Sequence, residues 1–308
     1  MKKYIKIARV DHWVKNFFVV PGIITAALLV QPQWDTAMIG RFVIGIVATC
    51  LIASANYVIN EWLDAEFDQF HPVKKNRPAV TEGLLKKYVV IEYMLLALLG
   101  LGLAYLVNIP FLLMEAWLLF MGILYNVKPI RTKDIPYVDV LSESINNLIR
   151  LLLGWFIVVG DVLPPSSLML GYWMVGAFLM AVKRFAEYRM IDDRKVAGLY
   201  RKSFQHYTST TLLCSSIFYA MSAVFFIGVF MIKYRVEYVV VIPLMIFIFV
   251  YYFYLSYKED SVVQKPEKLY REKTLLLLVA IFSVLFLVLT VCDIAILEVI
   301  LDNTLIGI

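Results

Sequence analysis

The sequence predicts an all-α, polytopic membrane protein of about nine transmembrane helices, on three observations. Of its 308 residues 61% are hydrophobic and only 17% charged, against roughly 45–50% and about 25% in soluble domains. Apolar runs of about 17–25 residues, long enough to cross a bilayer as helices, recur along the whole chain. Lysine and arginine are confined almost entirely to alternate connections.

The runs place spans at residues 17–31, 38–62, 88–107, 110–126, 137–160, 167–185, 209–232, 238–257 and 274–297. No stretch remains for a sizeable soluble domain, so one membrane domain over residues 1–308 is expected. The segment before the first span, MKKYIKIARVDHWVKN, has five basic residues and no short apolar core with a small-residue cleavage site, so the first helix is expected to stay. The basic residues number five in 63–87, three in 127–136, seven in 183–202 and five in 258–273. The opposite side has only Arg41, Lys233 and Arg235, and Arg150 falls within a span. By the positive-inside rule the N-terminus and the four long connections are cytoplasmic, in a multi-pass cell membrane protein whose C-terminus lies outside. Any active site should then face the cytoplasm, where most ionisable residues are. Cys50, Cys214 and Cys292 fall in three separate apolar runs and read as packing residues, with neither a disulfide framework nor a zinc site.

The densest chemical signal follows the second span, in NYVINEWLDAEFDQFHPVKKNRPAVTEG from Asn56. On a continuing helix Asn56, Asn60, Asp64 and Asp68 are one turn apart and share a face, with Glu61 beside them. Stacked carboxylates at a membrane repel one another unless a cation neutralises them, and an all-oxygen set suits Mg²⁺. His71, Lys74, Lys75 and Arg77 follow within ten residues, a source of positive charge for phosphate. The plainer reading is a solvated helix end with a topology-setting loop, and the strict four-residue register weighs against it. The fifth span carries a second polar stripe, Asp139, Glu143, Asn146, Asn147 and Arg150, readable as a site or as a seam that glues helices. Arg150 would be neutralised by Glu143 or by a substrate phosphate. After the sixth span, Lys183 and Arg184 precede Glu187 by about one turn. Arg189, Arg194, Lys195, Arg201 and Lys202 fit ordinary positive-inside charge as well as they fit ligands. His12, His71 and His206 read as surface or packing residues. No feature points to nucleic acid, and a homo-oligomer is left open.

Asn60 to Asp68, NEWLDAEFD, resembles the NDxxDxxxD motif of the UbiA superfamily of intramembrane prenyltransferases, with Glu61 where the family usually has Asp. The resemblance implies a UbiA-like helical bundle in which Asn60, Glu61, Asp64 and Asp68 hold Mg²⁺ on a donor diphosphate, with Asn60, Asp64 and Asp68 catalytic. The flanks look most like the decaprenyl-phosphate phosphoribosyltransferase branch. They are Arg9, Trp13, Lys15 and Asn16 near the N-terminus, the HPVKKNRPAVTEG extension, Tyr125 with downstream IPYVDVL, and Lys183, Arg184 and Glu187. That branch implies transfer of 5-phosphoribose from phosphoribosyl diphosphate to a polyprenyl phosphate of decaprenyl type. Lys15, Asn16, Lys74, Arg77, Tyr125, Lys128, Asp139, Glu143, Arg150, Lys183, Arg184 and Glu187 are the residues expected to bind substrate. The rivals are a UbiA-type prenyltransferase acting on an aromatic acceptor, and a transporter or lipid-binding scaffold.

Overall fold

The structure, a computed structural model, describes residues 2–258, 261–264 and 266–297. Among them nine helices are long and apolar enough to cross a membrane: α1 Lys3–Val30, α2 Thr36–Asp68, α3 Lys86–Val107, α4 Ile109–Asn126, α5 Val138–Val158, α6 Ser166–Ile191, α7 Ser209–Tyr234, α8 Val236–Leu255 and α9 Lys273–Val291. No strand occurs among the described residues. Residues 298–308, assigned to the outer side by the charge bias, lie outside them.

The nine expected spans are all present, and the differences are at helix ends. The expected second span stops at residue 62, where charge begins, yet α2 continues to Asp68. No proline interrupts it before Pro72, and the carboxylates of its last turns each find a basic partner. α6 likewise runs past residue 185 to Ile191. At 1.5 Å per residue the 33 residues of α2 extend about 50 Å, well beyond a hydrocarbon layer of about 30 Å.

The chain divides into two compact units, residues 1–164 with 187–212, and residues 165–186 with 213–308. In the first, Ile7 and Ala8 pack with Val58 of α2 and Val89 of α3, and Tyr4, Trp62 and Leu96 close over them. α1 is not regular: it is 3-10 helix over Val10–Val19 and α-helix over Val20–Val30, with Pro21 at the change. Its polar side chains tie it inward, Trp13 Nε1 donating to Ser54 Oγ at 2.9 Å and Asn16 Nδ2 to Cys50 Sγ at 3.2 Å. Asn108 caps α4 by accepting from Phe111 N at 2.8 Å, and its Nδ2 donates to Phe156 O at the end of α5. In the span of α5, 72% of residues are buried, which gives its polar stripe protein neighbours and keeps it from lipid.

α1 and α5 touch backbone to backbone. A Cβ on Gly154 would collide with Val19 O, and one on Gly22 with Leu151 O, the small-residue packing that lets membrane helices approach closely. Gly154→Ala is expected to cost about 1–3 kcal/mol through overpacking, read as a lower thermal midpoint in detergent. Gly102 of α3 has nothing within 4 Å of such a Cβ, so Gly102→Ala should be neutral or gain about 0.5–1 kcal/mol from helix propensity. Equal midpoints for the two variants would refute the close approach.

In the second unit aromatic rings do much of the packing. Phe178 lies 4.9 Å from Phe249, Phe185 lies 5.4 Å from Phe253, and Tyr238 stacks on Phe286 at 4.3 Å. Arg235 closes the end of α9, donating to Leu289 O at 2.5 Å and pairing with Asp293 at 2.6 Å, where a cation complements the helix dipole.

Candidate active site

Because α2 stays helical to Asp68, its polar side chains at four-residue steps meet a different partner at each turn. Asn56 Nδ2 donates to Leu118 O of α4 at 2.9 Å. One turn on, Asn60 Nδ2 donates to Asn126 Oδ1 at 2.6 Å and to Asp64 Oδ2 at 3.2 Å. Asp64 Oδ1 accepts from Arg131 Nη2 at 2.9 Å and from Lys133 Nζ. Lys133 also donates to Asn126 Oδ1 at 2.7 Å, which closes a ring of α2, α4 and the 127–137 connection. Asp68, 2% exposed, accepts from Arg77 Nη1 at 2.5 Å.

Lys74 Nζ reaches Glu187 at 2.8 Å and also donates to the Tyr200 hydroxyl. His71 is buried beside them, its ring 4.6 Å from that of Tyr200. Its Nδ1 accepts from the backbone N–H groups of Val73 and Lys74, each at 3.1 Å. Burial first, and then the Lys74 charge, push its pKa down to about 3. Burial pushes Lys133 down to about 8, with Asp64 opposing the fall, and lowers Lys74 against the pull of Glu187.

A third group surrounds Asp139, which is fully buried at the start of α5. It accepts from Tyr207 OH at 2.7 Å, Ser203 Oγ at 3.1 Å and Arg201 Nη1 at 3.3 Å. Arg201 also donates to Tyr125 OH, 3.2 Å from its Nη1, and Tyr125 OH donates to Glu143 Oε2 at 2.7 Å. Both oxygens of the buried carboxylate are thereby engaged, and Asp139 holds Arg201 beside it.

The geometry departs from the sequence expectations at several residues. Lys128 is 65% exposed and faces Glu66 at 3.7 Å, while Lys133, five residues later, is the lysine buried against Asp64. Glu61 turns to Arg9, whose Nε and Nη2 donate to its Oε2 at 2.7 and 2.5 Å. One residue along a helix is a rotation of about 100°, so Glu61 leaves the Asn60–Asp64–Asp68 face. Arg9 makes this bond from a left-handed backbone, φ 49°, strain that two charge-assisted hydrogen bonds offset. Glu143 pairs with Tyr125 and not with Arg150. The latter donates to Asn16 Oδ1 and Asn146 O, both at 3.2 Å, and among the described residues no carboxylate is within ion-pair distance of it. Lys15 sits 2.9 Å from His12 Nδ1 and 5.8 Å from the centre of the Tyr57 ring. Lys183 and Arg184 lie on the part of α6 that belongs to the second unit, and Glu187 on the part that belongs to the first.

Arg131 and Lys133 are candidate site residues that sequence reasoning counted only as topology charge, and Arg201 is one it left open between topology charge and ligand. Their only signal was membership of basic connections. Pairing and burial are what distinguish them.

Among the described residues no three His, Cys, Asp or Glu side chains converge at metal-ligand spacing, since each α2 carboxylate turns to a basic neighbour. The donor set nonetheless fits a hard cation. Asp64 and Asp68 offer carboxylate oxygens on one helix face with the Asn60 amide beside them, while Glu61 is engaged by Arg9. Oxygen-only donors of this kind are what Mg²⁺ accepts.

Comparison with known proteins agrees with this picture. The chain is 29% identical over 211 residues to a decaprenyl-phosphate phosphoribosyltransferase of Mycolicibacterium smegmatis, an alignment covering 68% of this chain and 63% of that protein. It is 30% identical over 216 residues to a protein of the same name from Corynebacterium glutamicum, covering 68% and 60%. The chain therefore spans about three fifths of the length of these curated relatives. Its fold matches the structure of a UbiA homolog from Archaeoglobus fulgidus bound to GPP and Mg²⁺, with a TM-score of 0.70 at 19% identity over 94% of this chain and all of that one. The model of the UbiA prenyltransferase family matches residues 18–271, well over half of the chain, and the chain belongs to that family.

Proposed function

We propose that the chain, working as a single membrane transferase domain, moves 5-phosphoribose from phosphoribosyl diphosphate to a polyprenyl phosphate of decaprenyl type and releases diphosphate. The observation that carries this reading is the alternation of acid and base at the end of α2, where Asp64 and Asp68 are matched by Arg131, Lys133 and Arg77. The named relatives supply the donor and acceptor classes. The charge bias supplies the side, with the site and N-terminus facing the cytoplasm of a cell membrane.

Asp64 and Asp68, with Asn60, would hold Mg²⁺, which neutralises charge building on the departing diphosphate. Arg131, Lys133 and Arg77, paired with those two carboxylates, would turn to phosphate oxygens, and Lys74 beside them would help fix the donor. The anomeric C–O bond to diphosphate breaks and a lipid phosphate oxygen forms the new bond at that carbon, the electron pair leaving with diphosphate. The attacking oxygen is already ionised at neutral pH, so no strong general base is needed. His71 is consistent with that, since Nδ1 is engaged by two backbone N–H groups.

The test is turnover by reconstituted protein given Mg²⁺, labelled phosphoribosyl diphosphate and polyprenyl phosphate. Lipid-linked phosphoribose and free diphosphate are expected. A second reading, prenyl transfer from a polyprenyl diphosphate to an aromatic acceptor, is favoured by the structural neighbour bound to GPP and Mg²⁺. Prenylation of an aromatic acid without any phosphoribosyl transfer would establish it instead. Mg²⁺-independent cation movement abolished by Asp64→Asn would point to a transporter.

A further inference from the structure

The loop between α2 and α3 contains a buried hydrogen-bond donor with nothing to donate to. His71 Nδ1 accepts from Val73 N and Lys74 N, each at 3.1 Å, so the ring proton must sit on Nε2. That nitrogen is buried and has no hydrogen-bond partner, in a side chain only 3% exposed. A buried N–H left unmade is costly. Around the imidazole stand Lys74, bonded to Glu187 at 2.8 Å, Arg77, bonded to Asp68 at 2.5 Å, and Tyr200. The Nε2–H is thus a buried donor without an acceptor, beside groups placed at the proposed donor site.

We propose that His71 is a neutral, tautomer-locked N–H donor that binds a phosphate oxygen of the diphosphate-bearing substrate. The two backbone N–H groups of Val73 and Lys74 hold the imidazole in the one form that presents a proton at Nε2. The loop's own turn therefore sets the direction in which that proton points. Lysine and arginine neutralise phosphate from many directions, whereas a single rigid N–H selects one oxygen and so orients the donor. The assignment rests on the reading of this loop as a diphosphate site and holds for either a phosphoribosyl or a prenyl diphosphate.

Two substitutions separate binding from loop structure. His71→Gln replaces the Nε2 donor and gives up the Nδ1 acceptor, while His71→Asn keeps an acceptor for the two backbone N–H groups and gives up the reach to Nε2. Binding of inorganic pyrophosphate with Mg²⁺, and separately of phosphoribosyl diphosphate with Mg²⁺, is measured calorimetrically on the full-length protein. A lost hydrogen bond to a charged group predicts binding weaker by about tenfold or more for His71→Asn, with His71→Gln near wild type. Weakening with both probes assigns the bond to the diphosphate, and weakening with phosphoribosyl diphosphate alone assigns it to the sugar phosphate. If His71→Asn binds both probes as tightly as wild type, the proposal falls. It falls also if His71→Gln is as weak as His71→Asn, the result expected of a residue that only packs on Tyr200. Failure of wild type to bind phosphoribosyl diphosphate while binding pyrophosphate would overturn the phosphoribosyl reading and leave His71 to be judged on pyrophosphate.

Discussion

Asp64→Asn is expected to abolish Mg²⁺-dependent transfer, lowering kcat/KM by at least about 10³-fold, and to lower stability as well. Asp64 is the carboxylate that two buried cations share. Neutralising it removes a proposed metal ligand and leaves Arg131 and Lys133 facing an amide. Breaking a buried ion pair from one side costs about 3–5 kcal/mol, and the amide oxygen, still an acceptor, should hold the loss near the lower end. Two measurements separate the effects: turnover against Mg²⁺ concentration, and the thermal midpoint in detergent. A variant that retains turnover within tenfold of wild type would remove Asp64 from the mechanism.

Lys133→Met should lower kcat/KM by about 10²-fold, roughly the 2.7 kcal/mol of a charge-stabilising donor, while Lys128→Met should stay within about twofold. Both lysines lie in the same short connection, and the family resemblance favoured Lys128. Burial reverses the order. Lys133 is 3% exposed and bridges Asp64 to Asn126, so its loss opens the ring that joins α2 to α4. Lys128 reaches only an exposed glutamate at 3.7 Å. Parallel kinetics on the two variants decide the matter, and a larger defect in Lys128→Met would reinstate it.

The two lysines also show how far the sequence could be read. Spans were legible because lipid penalises every unpaired polar group, and the face shared by Asn60, Asp64 and Asp68 because a helix repeats every 3.6 residues. Both rules act along one segment. Glu61 lies one residue from that face, and the same arithmetic turns it toward Arg9, so its different partner was within reach of the pattern. The partners of Asp64 and Asp139 were not. Arg131, Lys133 and Arg201 come from connections whose path is set by three-dimensional packing, and in sequence they look like the charge that orients any membrane protein. Asp139 was legible as polar, and its surroundings were not, since nothing local announces that Tyr207, 68 residues away, bonds to its oxygen.

The length of α2 has a kinetic corollary for the proposed reaction. A helix of about 50 Å in a layer of about 30 Å stands partly in each phase, and its acidic residues are at one tip. The donor is dissolved in a volume and the acceptor is spread on a surface, so their concentrations carry different units. Adding inert lipid to a vesicle at constant bulk acceptor thins the acceptor in two dimensions and leaves the donor untouched. The enzyme's effective acceptor concentration is therefore a mole fraction of the membrane, and a Michaelis constant for the lipid expressed per litre would describe the vesicles as much as the protein.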